Sequence, residues 1–511
     1  MKFKNFTILF IGLMWFSCKS QNTGLAALIQ PDKIISKEFI GNGIEISAYP
    51  HADAANAEWG KLMTDAKWEN VFERVSYINP KIVRVMDQAN WRYLQGFDTS
   101  GNPIIDFESE QMQALYKLLD YCQKNKIIVI LGEWGQPYKV HDTHLKLENS
   151  FSGANDPKWI ALIIKNLNYL ITVKKYTCIK YYNLVNEPNG SWATTDGDWT
   201  QWKEGIAMLH QSIKEAGLGK DISIIGPDST PYDNPKSKYK GFDWTKQAVL
   251  QIPEFLSAYD VHDYPSKESI RYGEFQETYT ALIKYADSLE RKPFILGELG
   301  VTGASSSKKN DGDQYSSQDS QLSVYDYDYG VDMADALIQS LNSGFDAVIA
   351  WDLDDAMHTL DDKGDKHQLK RWGMFNILGE ELTGKKEDSD LRPWFYTWSI
   401  MCRYFENDMK IVKIDNLNIE NVRATAGISP SGDITIAIVN NSNKHVNFNL
   451  DIKDFQKEKI LKKYLYSENN RIVNKKGFPI PQKEKNSLSS EKGIKVSIPE
   501  KSVILYTSYK K

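Results

Sequence analysis

Two glutamates in this sequence each follow a short apolar run, at positions suited to acid–base chemistry. Glu187 lies within residues 184–189 (LVNEPN), and Glu298 directly follows residues 294–297 (FILG). Two carboxylic groups that converge on one pocket can break a glycosidic bond. One protonates the leaving oxygen, and the other attacks the anomeric carbon or activates water. This pair is therefore the first candidate for a catalytic site.

The elements that must position these glutamates follow from hydrophobic periodicity. From about residue 40 to 400, short β-branched runs alternate with amphipathic stretches whose apolar residues recur at helical spacing. Such alternation indicates a parallel sheet covered by helices, and eight units in roughly 360 residues fit a (β/α)₈ TIM barrel. No glycine-rich phosphate fingerprint follows the first strand, which disfavours a dinucleotide fold. The predicted strands are residues 43–47, 81–86, 127–131, 181–185, 222–226, 258–262, 294–297 and 347–351.

After Phe405 the pattern changes to short alternating strands separated by polar turns, as in residues 434–439 and 446–450. This pattern is typical of a small antiparallel β-sandwich. The predicted domains are a signal peptide over 1–18, a tether and lead-in over 19–39, the barrel over 40–405 and the sandwich over 406–511.

In a barrel of this kind, the working residues lie at the carboxyl ends of the strands. The fourth and seventh strands lie on opposite sides of the barrel axis, so Glu187 and Glu298 are expected to face each other. Other polar or aromatic groups recur at the same strand ends. They are Arg84, Glu133, Trp134, Asn186, His262, Tyr264 and Trp351.

These features resemble the large clan of retaining (β/α)₈ glycoside hydrolases. In that clan an Asn-Glu after strand four supplies the acid/base, and a Glu after strand seven supplies the nucleophile. Asn186-Glu187-Pro188 and Gly297-Glu298 match these two elements. The tetrapeptide continuing to Asn189 and the added sandwich are most similar to families 39 and 30, with family 5 as the simpler alternative. The resemblance implies double displacement on β-linked glycans or oligosaccharides, with no cofactor and no metal.

The resemblance also implies a substrate-binding set around the glutamates. Arg84 would keep Glu298 ionised, since a nearby cation lowers a carboxylate pKa. Asn186 would bond the sugar 2-hydroxyl, and the Tyr264 hydroxyl would donate to Glu298. The other expected substrate-binding residues are Glu133, Trp134, His262 and Trp351, the last as a stacking surface. Alternatives stay open for three of them: His262 as a core histidine, Glu133 as the partner of a cation, and Trp351 as barrel-end packing. Trp192, Trp199 and Trp202 follow the acid/base and form either sugar subsites or a helix packing seam.

A long polar stretch, residues 301–328, follows the seventh strand. Long loops without regular structure are usually lids, binding loops or disordered segments. We interpret this one as a lid whose tyrosines contact sugar, with a plain surface insertion as the alternative. The tyrosines are Tyr315, Tyr325, Tyr327 and Tyr329.

The first 18 residues read as an export signal: Lys2 and Lys4 precede an apolar run that ends at Ser17-Cys18. The run is too short for a membrane span. It resembles a bacterial lipoprotein signal in which Cys18 is lipidated, and a plain secretory signal is the alternative. The protein is therefore expected to be exported and lipid-anchored to a bacterial outer membrane, facing the periplasm or the cell surface.

Composition narrows the possible partners. The 62 Lys and Arg against 67 Asp and Glu give a net charge of −5 without a basic stripe, which disfavours nucleic acid. The four cysteines have no metal-site or disulfide-framework spacing. The expected partner is an oligo- or polysaccharide, and the expected state is a monomer. Two other classes remain: a catalytically inactive surface glycan-binding lipoprotein, and an adhesion protein built on the sandwich.

Overall fold

A computed structural model describes residues 26–47, 62–137, 151–306, 314–360, 364–455 and 457–510. Its centre is a closed barrel of eight parallel strands, which confirms the predicted (β/α)₈ fold. Each predicted strand is present, with its ends shifted by a few residues. The barrel strands are, in chain order, Gly41–Glu45, Ile82–Asp87, Ile128–Glu133, Ile179–Asn183, Ser223–Ser229, Ala258–Asp263, Phe294–Leu299 and Ala347–Ala350.

A long helix follows each barrel strand and covers the outside of the barrel. The helix Trp199–Glu215 is representative: Ile206, Leu209 and Ile213 are buried at helical spacing, and Asp198 caps its first turn. The covering helices are Asp65–Ile78, Glu110–Lys124, Pro157–Asn168, Trp199–Glu215, Asp243–Gln251, Glu274–Leu289, Tyr327–Ser343 and Trp394–Tyr404. Shorter α-helices span Ala89–Arg92, Lys267–Tyr272 and Gly379–Thr383, a π-helical turn spans Tyr169–Val173, and a hairpin pairs Leu94–Phe97 with Pro103–Ile105.

The barrel interior is a packed core. A cluster that includes Ile130, Ile225, Ile295 and Ile349 occupies it, and all four are buried. Strand packing is tight enough to require glycine in the first strand, because a Cβ at Gly43 would lie 2.0 Å from the carbonyl oxygen of a neighbouring strand. Because the interior of the barrel is apolar, the polar side chains of the site lie at the carboxyl ends of the strands, as is usual in barrels of this kind.

The second domain is a nine-stranded, mostly antiparallel sheet. Side chains from strands across the whole sheet converge on one apolar cluster that includes Ile29, Ile436, Leu450 and Ile504. The strands run in continuous hydrogen-bonded order. That order is Asn486–Leu488, Lys459–Tyr466, Ser502–Thr507, Ile434–Asn440, Val422–Ile428, Lys410–Asp415, Ala27–Ser36, Val446–Ile452 and Ile494–Ile498.

The prediction of a tether and lead-in over 19–39 is wrong for residues 27–36. Ala27–Ser36 is a strand of the second domain, antiparallel to Lys410–Asp415 and parallel to Val446–Ile452. The reason is burial: Ala27 and Ile29 belong to the apolar cluster of the sheet. The predicted signal, including Cys18, lies outside the described residues.

Polar contacts join the two domains along the helix Tyr327–Ser343. The Arg423 guanidinium lies 2.9 Å from Asp335, and Asn441 donates to Asp332 at 2.9 Å. The Tyr466 ring stacks on Tyr327. Across the described ranges, no helix combines the length and the apolar character that a bilayer crossing demands.

Candidate active site

A cavity of about 610 Å³ opens at the carboxyl ends of the barrel strands, and both Glu187 and Glu298 line it. Its volume falls in the range of about 300–1,000 Å³ that is usual for small-molecule sites. Aromatic rings form much of its wall. They belong to Trp134, Trp192, Tyr232, Tyr264, Trp351 and Trp372.

The two glutamates approach each other across this cavity. Glu298 lies in the seventh barrel strand, and Glu187 follows the fourth. A carboxylate oxygen of Glu187, a carboxylate oxygen of Glu298 and a ring nitrogen of His262 all lie within 4.8 Å of one another. The facing arrangement expected from the barrel geometry is therefore present.

Two donors hold the Glu298 carboxylate. The Arg84 guanidinium donates to Oε1, and the Tyr264 hydroxyl donates to Oε2. Arg84 is completely buried and also donates to Asn186 Oδ1 at 2.6 Å. With one oxygen beside a cation and the other beside a hydroxyl, Glu298 is fixed in orientation toward the cavity.

Arg84 lies at the centre of a wider ionic network below the cavity. It also lies 3.0 Å from Glu45 Oε2 and 3.0 Å from Asp228 Oδ2. Although burial opposes it, the charges of Asp228 and Glu298 raise the pKa of Arg84 well above its ordinary value. Burial raises the pKa of Glu45 to about 8, against the attraction of Arg84. The guanidinium is thus a permanent cation shared among several acidic groups.

Glu187 has a different environment from Glu298. Its Oε1 lies 3.0 Å from His262 Nδ1, and its Oε2 accepts the indole N–H of Trp192 at 2.5 Å. Burial raises the pKa of Glu187; the hydrogen bond with His262 opposes this, and the charge of Glu298 adds to it. A carboxyl group with a raised pKa keeps its proton to higher pH, as a general acid must.

His262 links Glu187 to Asp228. The imidazole is fully buried, and its Nε2 lies 2.8 Å from Asp228 Oδ1. Although burial opposes it, the charges of Asp228 and Glu298 raise the pKa of His262 well above its usual value. Burial also opposes ionisation of Asp228, but His262 and Arg84 lower the pKa of that carboxyl. These charges favour the imidazolium form, in which Nδ1 donates to Glu187 Oε1 and Nε2 forms an ion pair with Asp228.

The backbone is strained at two of these positions. Glu187 has a φ of 48° and Asp228 a φ of 61°, which is the left-handed region that non-glycine residues rarely occupy. This conformation costs roughly 1–2 kcal/mol per residue. Such strain clusters at functional sites, where the surrounding structure enforces it.

Of the other residues predicted for the site, Asn186, Trp134 and Trp351 line the cavity. The Trp134 and Trp351 rings meet edge to face, with centroids 6.2 Å apart. Arg84 and His262 are fully buried and are not among the residues that line the cavity. Arg84 contacts Glu298, as expected from the sequence, and His262 contacts Glu187. A direct role of either residue in substrate binding stays a prediction.

Glu133, expected either to bind substrate or to pair with a cation, is buried in the protein. It is 3% exposed and does not line the cavity. Its Oε2 accepts the backbone N–H of Ala89 at 3.0 Å, and its Oε1 accepts the Tyr93 hydroxyl at 3.2 Å. Burial, with the charge of Asp87, raises the pKa of Glu133 well above the ordinary range. Glu133 is therefore a buried, hydrogen-bonded group of the core.

This placement makes a prediction about stability. The variant Glu133→Ala is expected to lower the free energy of unfolding by about 2 kcal/mol, because it leaves buried donors without an acceptor. Urea unfolding measures this loss. Glu133→Gln is the matched control and should lose less, since the amide keeps an acceptor oxygen. A Glu133→Ala variant of unchanged stability but raised KM would instead support the sugar-binding role.

The structure describes residues 301–306 and 314–328 of the stretch interpreted as a lid, and residues 307–313 lie outside the described ranges. Thr302 and Asp319 of this stretch line the cavity, but none of the four tyrosines does, although all four lie in described ranges. Each of the four tyrosines contacts residues that do not line the cavity. The contacts are Tyr315 with His367, Tyr325 with Asp388 and Arg392, Tyr327 with Tyr466, and Tyr329 with Trp394.

Four residues of the site were not among those predicted for it: Glu45, Asp228, Tyr232 and Trp372. Asp228 ends the fifth strand, and Glu45 interrupts the apolar run of the first, so each carried a readable signal. Tyr232 belongs to the loop after strand five. Trp372 comes from the long segment after the eighth strand, and no local pattern in the sequence assigns it to the cavity.

The acidic groups and His262 lie close enough together to be considered as metal ligands. However, the Arg84 guanidinium already supplies a cation to Glu298 and Asp228, and His262 occupies the remaining oxygen of Asp228. We interpret the cluster as a hydrogen-bonded ionic network that orients the two glutamates.

Comparison with models of known protein families identifies the family of this chain. The family model described as cellulase (glycosyl hydrolase family 5) matches residues 40–357. The chain therefore belongs to glycosyl hydrolase family 5, within the clan of (β/α)₈ glycoside hydrolases that the motifs resemble. Of the families considered from the sequence, it is the simpler alternative that matches. No curated protein matches the chain in sequence.

Solved structures share the fold over nearly the whole chain. The family 30 subfamily 8 xylanase Xyn30A from Clostridium acetobutylicum has a TM-score of 0.61 at 13% identity, covering 94% of this chain and 99% of its own. The endo-beta1,6-glucanase BT3312 has a TM-score of 0.60 at 16% identity, covering 95% and 93%. A family 39 beta-xylosidase from Caulobacter crescentus has a TM-score of 0.58 at 11% identity, covering 94% and 99%. At these identities the likeness concerns the fold.

Proposed function

We propose that this glycoside hydrolase is a retaining enzyme that cleaves β-linked glycans or oligosaccharides, with Glu187 as acid/base and Glu298 as nucleophile. The observation that carries the proposal is the approach of their carboxylate oxygens to within 4.8 Å across the cavity. Retaining enzymes place the two carboxyl groups about 5–5.5 Å apart, whereas inverting enzymes need about 6.5–9.5 Å to admit a water.

In the first step, an oxygen of Glu298 attacks the anomeric carbon. The carboxyl proton of Glu187 passes to the glycosidic oxygen as the bond from that oxygen to the anomeric carbon breaks. The sugar is left as an ester of Glu298, and the leaving group departs as a neutral alcohol. Arg84 and Tyr264 hold Glu298 in the attacking orientation.

In the second step, Glu187, now a carboxylate, takes a proton from water. The water oxygen bonds to the anomeric carbon from the face that the leaving group vacated, and the bond to Glu298 breaks. The product has the configuration of the substrate, and both glutamates return to their starting protonation states. The imidazolium of His262 supports the carboxylate form of Glu187 during this step.

The surroundings of the glutamates support a sugar as substrate. Trp134 and Trp351 present apolar faces suited to the apolar face of a sugar ring, and Asn186 lies beside Glu187 on the cavity wall. The structurally similar proteins include a xylanase and an endo-beta1,6-glucanase. Their substrates support a β-linked glycan here.

Turnover of a panel of aryl β-glycosides tests the proposal, followed by proton NMR of the first product formed from the best substrate. We expect hydrolysis of at least one glycoside, with the β-anomer appearing first. An α-anomer first would contradict double displacement. A folded protein that binds glycans without turnover would favour the inactive, glycan-binding alternative.

We also propose that the protein is exported and lipid-anchored through Cys18, on the basis of the N-terminal sequence. Replacement of Cys18 by alanine is expected to move the protein from the membrane fraction to the soluble fraction. Fractionation of cells that produce either form measures this shift. Equal membrane association of both forms would contradict anchoring at Cys18.

A further inference from the structure

Two aromatic side chains form an exposed corner at one end of the cavity. Trp192 is 52% exposed and Tyr232 is 46% exposed, although both line the cavity. Their ring centroids lie 6.4 Å apart, with the ring planes at 68°. Large aromatic rings are normally buried, so two exposed rings that meet at a cavity mark a surface on which a ligand can stack.

The corner is built into the fold. A Cβ at Gly190 would lie 2.4 Å from the Trp192 ring, so the ring lies directly against the glycine backbone. Asn189 is buried and ties the two loops together: it donates to the Thr230 carbonyl at 2.9 Å and accepts the Thr230 N–H at 3.0 Å. Trp192 and Tyr232 are thereby held in fixed relation to each other.

The position of the corner relative to Glu187 indicates which part of a substrate it contacts. The Trp192 indole N–H donates to Glu187 Oε2. In the proposed mechanism, Glu187 protonates the glycosidic oxygen. The part of the substrate that this oxygen joins to the anomeric carbon is the leaving group, which therefore lies on the Glu187 side of the cavity. Trp372 contacts Tyr264 instead, edge to face with the ring whose hydroxyl donates to Glu298.

We propose that Trp192 and Tyr232 form the binding subsite for the sugar ring of the leaving group, and that the Trp192 indole N–H also positions Glu187. The inference rests on the proposed function, because it takes its direction from the role of Glu187. It assigns a sugar leaving group, and thus an oligosaccharide or glycan substrate, to this end of the cavity.

The positioning role has a consequence for pH dependence. His262, Asp228 and Glu298 are the charged groups that face Glu187, with the hydroxyls of Tyr232 and Tyr264 nearby. The Trp192 N–H donates to the same carboxylate and stabilises its ionised form. Trp192→Phe keeps an aromatic face but removes this donor, so it should raise the pKa of Glu187.

The subsite is tested with two substrates of the sugar that the wild type accepts: the β-glycosyl fluoride, whose leaving group has no ring, and an oligosaccharide. Tyr232→Ala and Trp192→Ala are each expected to lower kcat/KM on the oligosaccharide at least tenfold more than on the fluoride. Tyr272→Ala is the matched control, since Tyr272 is an exposed tyrosine outside the cavity. Equal losses on both substrates would overturn the subsite.

The positioning role is tested with the pH profile of kcat/KM on the oligosaccharide. Since Glu187 must be protonated in the first step, activity falls as pH rises through its pKa. Trp192→Phe is expected to move this alkaline limb upward by about half to one pH unit. Gly190→Ala, which displaces the intact indole, should move it in the same direction. An unmoved limb in both variants would overturn the role.

The two proposals fail in distinguishable ways. If the wild type hydrolyses no glycoside, or if Glu298→Ala retains turnover of the fluoride, the proposed function fails. If Glu298→Ala loses turnover of both substrates, the proposed function stands. If Trp192→Ala and Tyr232→Ala then lose the same factor in kcat/KM on the fluoride and on the oligosaccharide, the subsite assignment is wrong.

Discussion

Replacement of Glu298 by alanine is expected to lower turnover by about 10⁴-fold or more, because it removes the atom that attacks the anomeric carbon. Added azide should restore part of the activity, since the truncated side chain leaves space for a small anion. Azide would attack from the face that Glu298 occupied and give a glycosyl azide of inverted configuration. Steady-state kinetics and NMR of the azide product measure both effects.

The wild type is the control for this experiment, since azide should not accelerate an enzyme that retains its own nucleophile. Glu298→Ala leaves Arg84 without one of its acidic partners, so the variant must be shown to fold. An unchanged circular dichroism spectrum would assign the lost turnover to the missing nucleophile. Turnover within tenfold of the wild type would contradict Glu298 as the nucleophile.

Replacement of Glu187 by alanine is expected to produce a loss that depends on the leaving group. On an oligosaccharide, the loss should be about 10²–10⁴-fold, the usual contribution of general acid–base catalysis. On a dinitrophenyl glycoside, the first step needs little protonation, so the ester of Glu298 should form rapidly and accumulate. Azide should then release a glycosyl azide of retained configuration, opposite to the product from Glu298→Ala.

Kinetics on a series of aryl glycosides of decreasing leaving-group acidity measure this dependence. The matched control is Glu187→Gln, which keeps the hydrogen-bond acceptor and the shape of the side chain but cannot donate the acid proton. A Glu187 variant that loses the same factor on every leaving group would contradict its role as acid. If the azide products of the two glutamate variants were exchanged, the roles would be reversed.

The barrel could be predicted from the sequence because its strands are buried on both faces. Residues 127–131 and 294–297 form continuous apolar runs, and such runs stand out from the helices between them. The strand Ala27–Ser36 could not be predicted in this way. It contains Pro31 and shifts register between Gln30 and Ile34, so its alternation is broken. Its partner is also remote: Gln30 bonds Asp415, 385 positions away.

The site residues that lie at the ends of barrel strands could be predicted from the sequence. Glu187, Glu298, Tyr264 and Trp351 each lie where a barrel strand ends, so the topology alone brings them to one rim. Whether a strand-end side chain lines the cavity depends on tertiary packing, so the sequence could not separate Glu133 from the residues that do line it.

Most of the loop residues that line the cavity could not be predicted from sequence patterns. Trp372 and Asp319 reach the cavity from long segments whose course is fixed by contacts elsewhere in the fold. The Trp372 indole donates to the Asp319 carbonyl, 53 positions away in the chain. Trp192 differs, because it follows Glu187 by five positions and is held against Gly190. Its proximity in sequence was a usable signal.

The most direct test of double displacement is to trap the ester on Glu298. A 2-deoxy-2-fluoro β-glycoside of the accepted sugar, with a dinitrophenyl leaving group, should form the ester rapidly and release it slowly, because the fluorine destabilises both transition states. Intact-mass measurement should then show one added sugar per chain, and peptide mapping should place it on Glu298. Turnover without any labelled peptide, or a label on a residue other than Glu298, would contradict the proposed mechanism.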